Sequence, residues 1–115
     1  MNTILLTIQV FQYLLDAGFA PPTAHTMTCI AYYESSLNPS AVNSTLNKDG
    51  SADWGLFQIN EKVWSSQCDV DKLLDPVYNI KCAKIVYDAQ GLDAWVAYKK
   101  HKETCDNYKV EGVFQ

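Results

Sequence analysis

Asn47-Lys48-Asp49-Gly50-Ser51-Ala52-Asp53-Trp54-Gly55-Leu56-Phe57-Gln58-Ile59-Asn60 is the stretch whose reading decides the fold. Its first half is polar and contains Asp49-Gly50, a strong turn signal, while the run from Asp53 to Ile59 holds β-favouring aromatic residues. This predicts a short antiparallel β structure, a β-rich insertion at about residues 40–60, with Asp53 at the start of a strand. The preceding triplet Asn43-Ser44-Thr45 fits an N-glycosylation acceptor but reads first as a polar turn.

Helical patterns flank this insertion on both sides. Ile4, Ile8, Phe11 and Leu15 recur at helical spacing and predict an amphipathic helix from about Asn2 to Asp16, stopped at Gly18. Pro21-Pro22 suits the opening of a second helix, about Pro22 to Ser35, with Met27, Ile30, Ala31 and Glu34 on one side. Further on, Asp75-Pro76 reads as a cap and first-turn proline, Ile80, Ala83, Val86 and Tyr87 as a buried face, and Gly91 as the stop. Asp93 is expected to cap a last long helix holding Trp95, Val96 and Tyr98. The fold class is α+β, mainly α, with a small antiparallel β-hairpin subdomain, and residues 1–115 are expected to form one domain.

Two carboxylates stand out against this layout. Glu34 sits at a helix end, where unsatisfied carbonyls disfavour an anion and raise the pKa, and burial against an aromatic would act the same way. Asp53 lies among polar neighbours, as a strand-end anion. A proton donor of raised pKa beside a carboxylate that stays ionised is the pair that cleavage of glycosidic bonds requires.

Composition narrows the alternatives. The 115 residues are 48% hydrophobic and 19% charged, with seven Tyr, three Trp and four Phe, aromatics that serve cores and sugar clefts alike. A net charge of −4 argues against a nucleic-acid partner, and the lone basic cluster Lys99-Lys100-His101-Lys102 reads as a solvated last helical turn. No stretch approaches the roughly 20 apolar residues of a membrane span. The opening segment has no basic residue near the start and no small-x-small cleavage site, so Met1 reads as an initiator on a mature domain. Cys29, Cys68, Cys82 and Cys105 show no Cys-x-x-Cys spacing, and His25 and His101 are the only histidines, so no metal and no cofactor are expected. Two disulfides in an oxidising, extracellular setting fit better, with three pairings open. Asp69, Asp71 and Asp75 lack the glycine and terminal glutamate of a calcium loop and read as solvated acids and a helix cap.

Glu34-Ser35, the Asn47–Asn60 stretch, Cys82-Ala83-Lys84-Ile85-Val86 and Ala94-Trp95-Val96-Ala97 together resemble the chicken-type lysozyme family, over roughly Pro22 to Tyr98. The resemblance implies a lysozyme-like fold, with Glu34 as general acid and Asp53 as nucleophile or charge stabiliser, a division of roles for which lysozymes are the type case. It implies that Trp95 presses on the Glu34 carboxyl and that Asn47, Asn60, Trp64, Asp88 and the Ala94 backbone touch a sugar chain bordered by Gln58. Amides suit hydroxyl and acetamido groups, and an indole face suits the apolar side of a pyranose. The implied substrate is peptidoglycan or another N-acetylglucosamine-containing oligosaccharide, cleaved at β-1,4 bonds by a secreted monomer.

The chain departs from that family in its cysteines, four where members usually have eight. Cys29 and Cys105 look like the family partners that tie the catalytic helix to the tail. Cys68 and Cys82 are left to pair, although their positions in the usual pattern belong to two different bridges. A second resemblance, carried by Glu34-Ser35-Ser36-Leu37-Asn38-Pro39, Gly55–Asn60 and Leu73–Ile80, is to bacterial lytic transglycosylases, which release an anhydro sugar and would use Tyr98 as a supporting tyrosine. A sugar binder without catalysis is the third reading, and retention of both acids favours hydrolysis over either.

Overall fold

Burial around the whole girth of one helix organises the molecule. In the computed structural model, which describes residues 3–44 and 47–113, helix α2 (Pro21–Ser35) has every residue from Ala24 to Ala31 buried. The expected one-sided stripe is therefore a fully enclosed segment, packed against α1 (Thr7–Asp16), α5 (Val96–Lys100) and α6 (Lys102–Asp106). Polar groups inside α2 are satisfied, as burial demands. Thr28 Oγ1 donates to the Ala24 carbonyl at 2.8 Å, and His25 Nδ1 accepts the Val110 N–H at 3.0 Å, fastening the C-terminal stretch to the core. The Cys29–Cys105 bridge joins α2 to α6 across 76 residues, a closure worth roughly 2–4 kcal/mol.

Helix α1 begins later than its spacing suggests. Asn2 lies outside the described residues, and Thr3 to Leu6 are not helical. The Leu5 N–H donates to the Leu37 carbonyl at 2.9 Å and the Leu6 N–H to Gln9 Oε1 at 2.8 Å, so these donors are spent on a tie to another segment and on a cap. The buried face is Val10, Phe11 and Leu14, while Ile4 and Ile8 are exposed and Leu15 is partly covered. Packing fixes the rotation: Phe11 lies 4.6 Å from the His25 ring.

The β insertion forms three antiparallel strands in the order β1 (Val42–Asn43), β2 (Asp53–Trp54), β3 (Ile59–Asn60). Asn43 faces Asp53, and Asp53 faces Asn60. The β-favouring run Asp53–Ile59, read as part of a small antiparallel hairpin, is divided between β2 and β3 by a turn. Gly55 and Gln58 adopt positive φ (76° and 51°), the Gln58 N–H returns to the Gly55 carbonyl, and Leu56 and Phe57 enter the core. Side-chain burial outweighs strand propensity here. Asn79 secures the turn: its Oδ1 accepts the Phe57 N–H, and its Nδ2 donates to the Trp54 and Leu73 carbonyls, all at 2.9 Å. A Cβ on Gly55 would collide with the Leu73 carbonyl oxygen and Asn79 Nδ2, so glycine is required for space as well as for φ.

After the sheet, a short helix α3 (Glu61–Trp64) leads through a 3-10 turn (Val70–Lys72) into α4 (Pro76–Gln90). Asp69 and Asp75 cap these last two starts through the N–H groups of Asp71 and Val77. Ile80, Ala83 and Val86 are buried and Tyr87 partly so, and α4 ends at Gly91, as its sequence indicates. Cys82 on α4 pairs with Cys68 only 14 residues earlier. The expected last long helix is broken into a 3-10 turn (Leu92–Ala94), α5 and α6, and Asp93 makes no side-chain cap. Trp95 is extended (φ −101°, ψ 120°) because its indole turns inward to donate to the Phe57 carbonyl at 3.0 Å, and His101 (φ −126°, ψ 31°) breaks the helix again.

Candidate active site

Helix α2 ends abruptly beside the sheet. Ser36 and Leu37 take left-handed φ values of 56° and 60°, and Ser35 Oγ lies 3.1 Å from the Ala31 carbonyl and 2.7 Å from that of Leu56. The second contact ties the helix end to the β turn and so presents Glu34 to the sheet. The Glu34 side chain is half-buried, and its Oε2 accepts the Ala97 N–H at 3.4 Å. Burial pushes its pKa from 4.5 up to about 7; the Ala97 N–H opposes this, the nearby Asp53 charge adds to it, and Lys100 opposes it most weakly. The expected rise is present, with burial as its leading cause in place of the helix-end carbonyls.

Asp53 is held by a side-chain amide. Its Oδ1 accepts from Asn60 Nδ2 at 2.8 Å, and the same nitrogen lies 3.0 Å from Ser51 Oγ. Asn60 is itself fixed, because its Oδ1 accepts the N–H groups of Lys62 and Val63 at the start of α3. Glu61 braces the strand from behind, accepting from the Ala52 N–H and Trp54 Nε1 at 3.0 Å each. One polar residue type thus caps a helix and orients a carboxylate.

Two cavities meet at the acids. One, of about 450 Å³, is lined by Asn47, Asn60, Trp64, Ala94 and Trp95; the other, of about 440 Å³, by Tyr33, Asn43, Ala97, Lys100 and His101. Glu34, Asp53, Gln58 and Val96 line both, so the acids stand at the junction of one trough with two ends. The expected residues Asn47, Gln58, Asn60, Trp64, Ala94 and Trp95 are therefore brought together with Glu34 and Asp53. Asn47 and Gln58 also brace the loop, Asn47 Nδ2 donating to the Ser51 carbonyl and Gln58 Nε2 to those of Ala41 and Gly55.

Two expected contacts are not in the trough. Asp88 is exposed on α4 and pairs with Lys84 one turn away at 2.8 Å, outside the lining of either cavity. Tyr98 is buried with its hydroxyl 2.8 Å from Asp106, because on α5 the residues three apart, Ala97 and Lys100, face the trough and Tyr98 points elsewhere. It lines a separate cavity with Tyr87 and Lys102. Sequence reasoning missed Tyr33, Ala97, Lys100 and His101. The spacing of Ala97 and Lys100 could have indicated a shared face, whereas the stack of Tyr33 on His101 joins distant segments and has no local signal.

Comparison with known proteins places this geometry. The C-type lysozyme/alpha-lactalbumin family model matches residues 9–112. The chain belongs to this family. Lysozyme c-1 of Anopheles gambiae is 36% identical over 110 residues, covering 87% of this chain and 75% of that one. Lysozyme C, milk isozyme, of Equus caballus is 40% identical over 97 residues, covering 73% of this chain and 74% of the relative. Among solved structures, a lysozyme from Litopenaeus vannamei superposes with a TM-score of 0.74 at 26% identity, covering 95% of this chain and 92% of that one. Canine milk lysozyme superposes at 0.73 with 30% identity, over 89% and 91%. The lysozyme-like, mainly helical fold with its small antiparallel sheet is thus the fold of the family.

Proposed function

We propose that the chain is a secreted lysozyme, a glycoside hydrolase that cleaves the β-1,4 bond from N-acetylmuramic acid to N-acetylglucosamine in peptidoglycan. Glu34 protonates the bridging oxygen, and Asp53 assists the sugar cation from the opposite wall as nucleophile or charge stabiliser. The observation that carries this reading is the pair itself: a half-buried carboxyl with a pKa near 7 across a trough from a carboxylate held by the Asn60 amide. A donor with that pKa keeps its proton at mildly acidic pH and releases it readily in the transition state. Asn47, Gln58, Asn60, Trp64, Ala94 and Trp95 supply the amide, backbone and indole contacts for the glycan. Family membership and the relatives' names support the same activity. The two disulfides support an extracellular location, and no described helix is long and apolar enough to cross a membrane.

Mass spectrometry of digested peptidoglycan tests the reading. Reducing ends are expected and require Glu34; anhydro ends would mean transglycosylation, and no release would leave a sugar binder. The burial of Tyr98 against Asp106 weighs against its use as a supporting tyrosine for transglycosylation.

A further inference from the structure

The two ends of the trough differ in charge. The Asn47–Trp95 end offers amides and an indole, whereas the other end places Lys100, exposed on α5, beside the stacked rings of Tyr33 and His101, whose centroids lie 3.7 Å apart with planes 5° from parallel. Lys62, Lys84 and Lys102 are engaged with Asp49, Asp88 and Asp106; among the described residues Lys100 makes no ion pair. Its attraction for Glu34 is the weakest of the influences on that acid, and no carboxylate among the described residues lies within ion-pair distance of it. An ammonium left unpaired at a cavity wall, in a chain of net charge −4, is available to an anion brought by the ligand.

We propose that Lys100 recognises a carboxylate carried by the substrate at the Tyr33–His101 end of the trough, so that the site prefers an acid-bearing glycan to its neutral counterpart. This rests on the glycan-cleaving reading above and deepens it: an N-acetylmuramic acid residue that bears no stem peptide carries a free lactyl carboxylate, whereas N-acetylglucosamine and a muramic residue whose lactyl group is amide-linked to a peptide carry none at that position. The stacked rings give that end a stiff wall, which limits the positions the anion can take next to the ammonium. Because Lys100 is exposed, the preference is about three- to fivefold at low salt and shrinks as salt screens the pair.

Two soluble glycan strands stripped of peptide provide the test, one with free lactyl carboxylates and one with those groups converted to methylamides. The ratio of their kcat/KM values is measured for the wild type, Lys100→Gln and Lys99→Gln, and the ratio of their Kd values for Glu34→Gln with and without Lys100→Gln. Taking ratios cancels any general effect of Lys100 on the protonation of Glu34. The free acid is expected to win in the wild type and in Lys99→Gln, with the preference lost in Lys100→Gln. A wild-type ratio near one, or a Lys100→Gln chain that keeps the wild-type ratio, overturns the assignment. Absence of cleavage of both strands would instead overturn the hydrolase reading, while the Kd ratios would still decide the role of Lys100.

Discussion

The two walls of the trough hold their acids by opposite means. On the helical wall, Glu34 is set by packing: α2 is enclosed from Ala24 to Ala31, and partial removal of the Glu34 carboxyl from water shifts its protonation. On the β wall, each strand is two residues long, too short to be stable by itself, and Asp53 is positioned by side-chain amides and backbone carbonyls. Burial sets which acid keeps a proton, whereas hydrogen bonds set where the other one points.

Removal of the packed acid should have the largest effect. Glu34→Gln is expected to lower turnover of peptidoglycan by about 10³-fold or more, since a positioned general acid supplies 10²–10⁴-fold. Circular dichroism should show an unchanged fold, and activity within tenfold of wild type would break the comparison at its root. Asp53→Asn should also impair hydrolysis strongly, with reducing ends still the product of any residual activity.

The β wall is expected to fail structurally before it fails chemically. Gly55→Ala adds a methyl group at positive φ against the Leu73 carbonyl and Asn79, and a loss of about 2–4 kcal/mol in denaturant unfolding is expected. A loss under 1 kcal/mol would mean that the turn relaxes easily and that the amides are not what positions Asp53.

Protonation gives a third contrast. Glu34 has a folded pKa of about 7, above its ordinary 4.5, so the folded state binds this proton more tightly than the unfolded chain. The resulting stabilisation is complete below pH 4.5, declines as pH rises between those values, and is gone above about pH 7. The shift corresponds to roughly 3 kcal/mol, and Glu34→Gln should remove that dependence. Urea unfolding at pH 4.5 and pH 8 checks it; parallel curves for wild type and variant would remove burial as the cause. The same titration should make kcat/KM fall as pH rises through about 7.

The smallest expected effect is at the sugar contacts. Trp64→Ala should raise KM about tenfold with little change in kcat, because it removes a stacking surface remote from the breaking bond. A change confined to kcat would place Trp64 nearer the chemistry.

Legibility from sequence follows the same division. Helices α2 and α4 are read almost to the residue because prolines, a capping aspartate and terminal glycine or serine mark their ends locally. Glu34, Asp53 and most trough residues are legible through motif resemblance and through a turn signal that fixes the sheet. What local pattern does not carry is set by distant partners. Leu37 takes the amide of Leu5 and delays α1, Phe57 draws in Trp95 and breaks the last helix, and Asp106 claims the hydroxyl of Tyr98. Pairing of Cys68 with Cys82 follows from the resemblance for Cys29 and Cys105, which leaves no other partner.

Asn79 has a practical consequence for protein engineering. Because this one amide on α4 grips backbone groups of Trp54, Phe57 and Leu73, the β wall is not a detachable cassette. A designer who grafts residues 41–60 onto another helical chassis must carry over an asparagine at the matching helix position, or Asp53 will arrive without its scaffold.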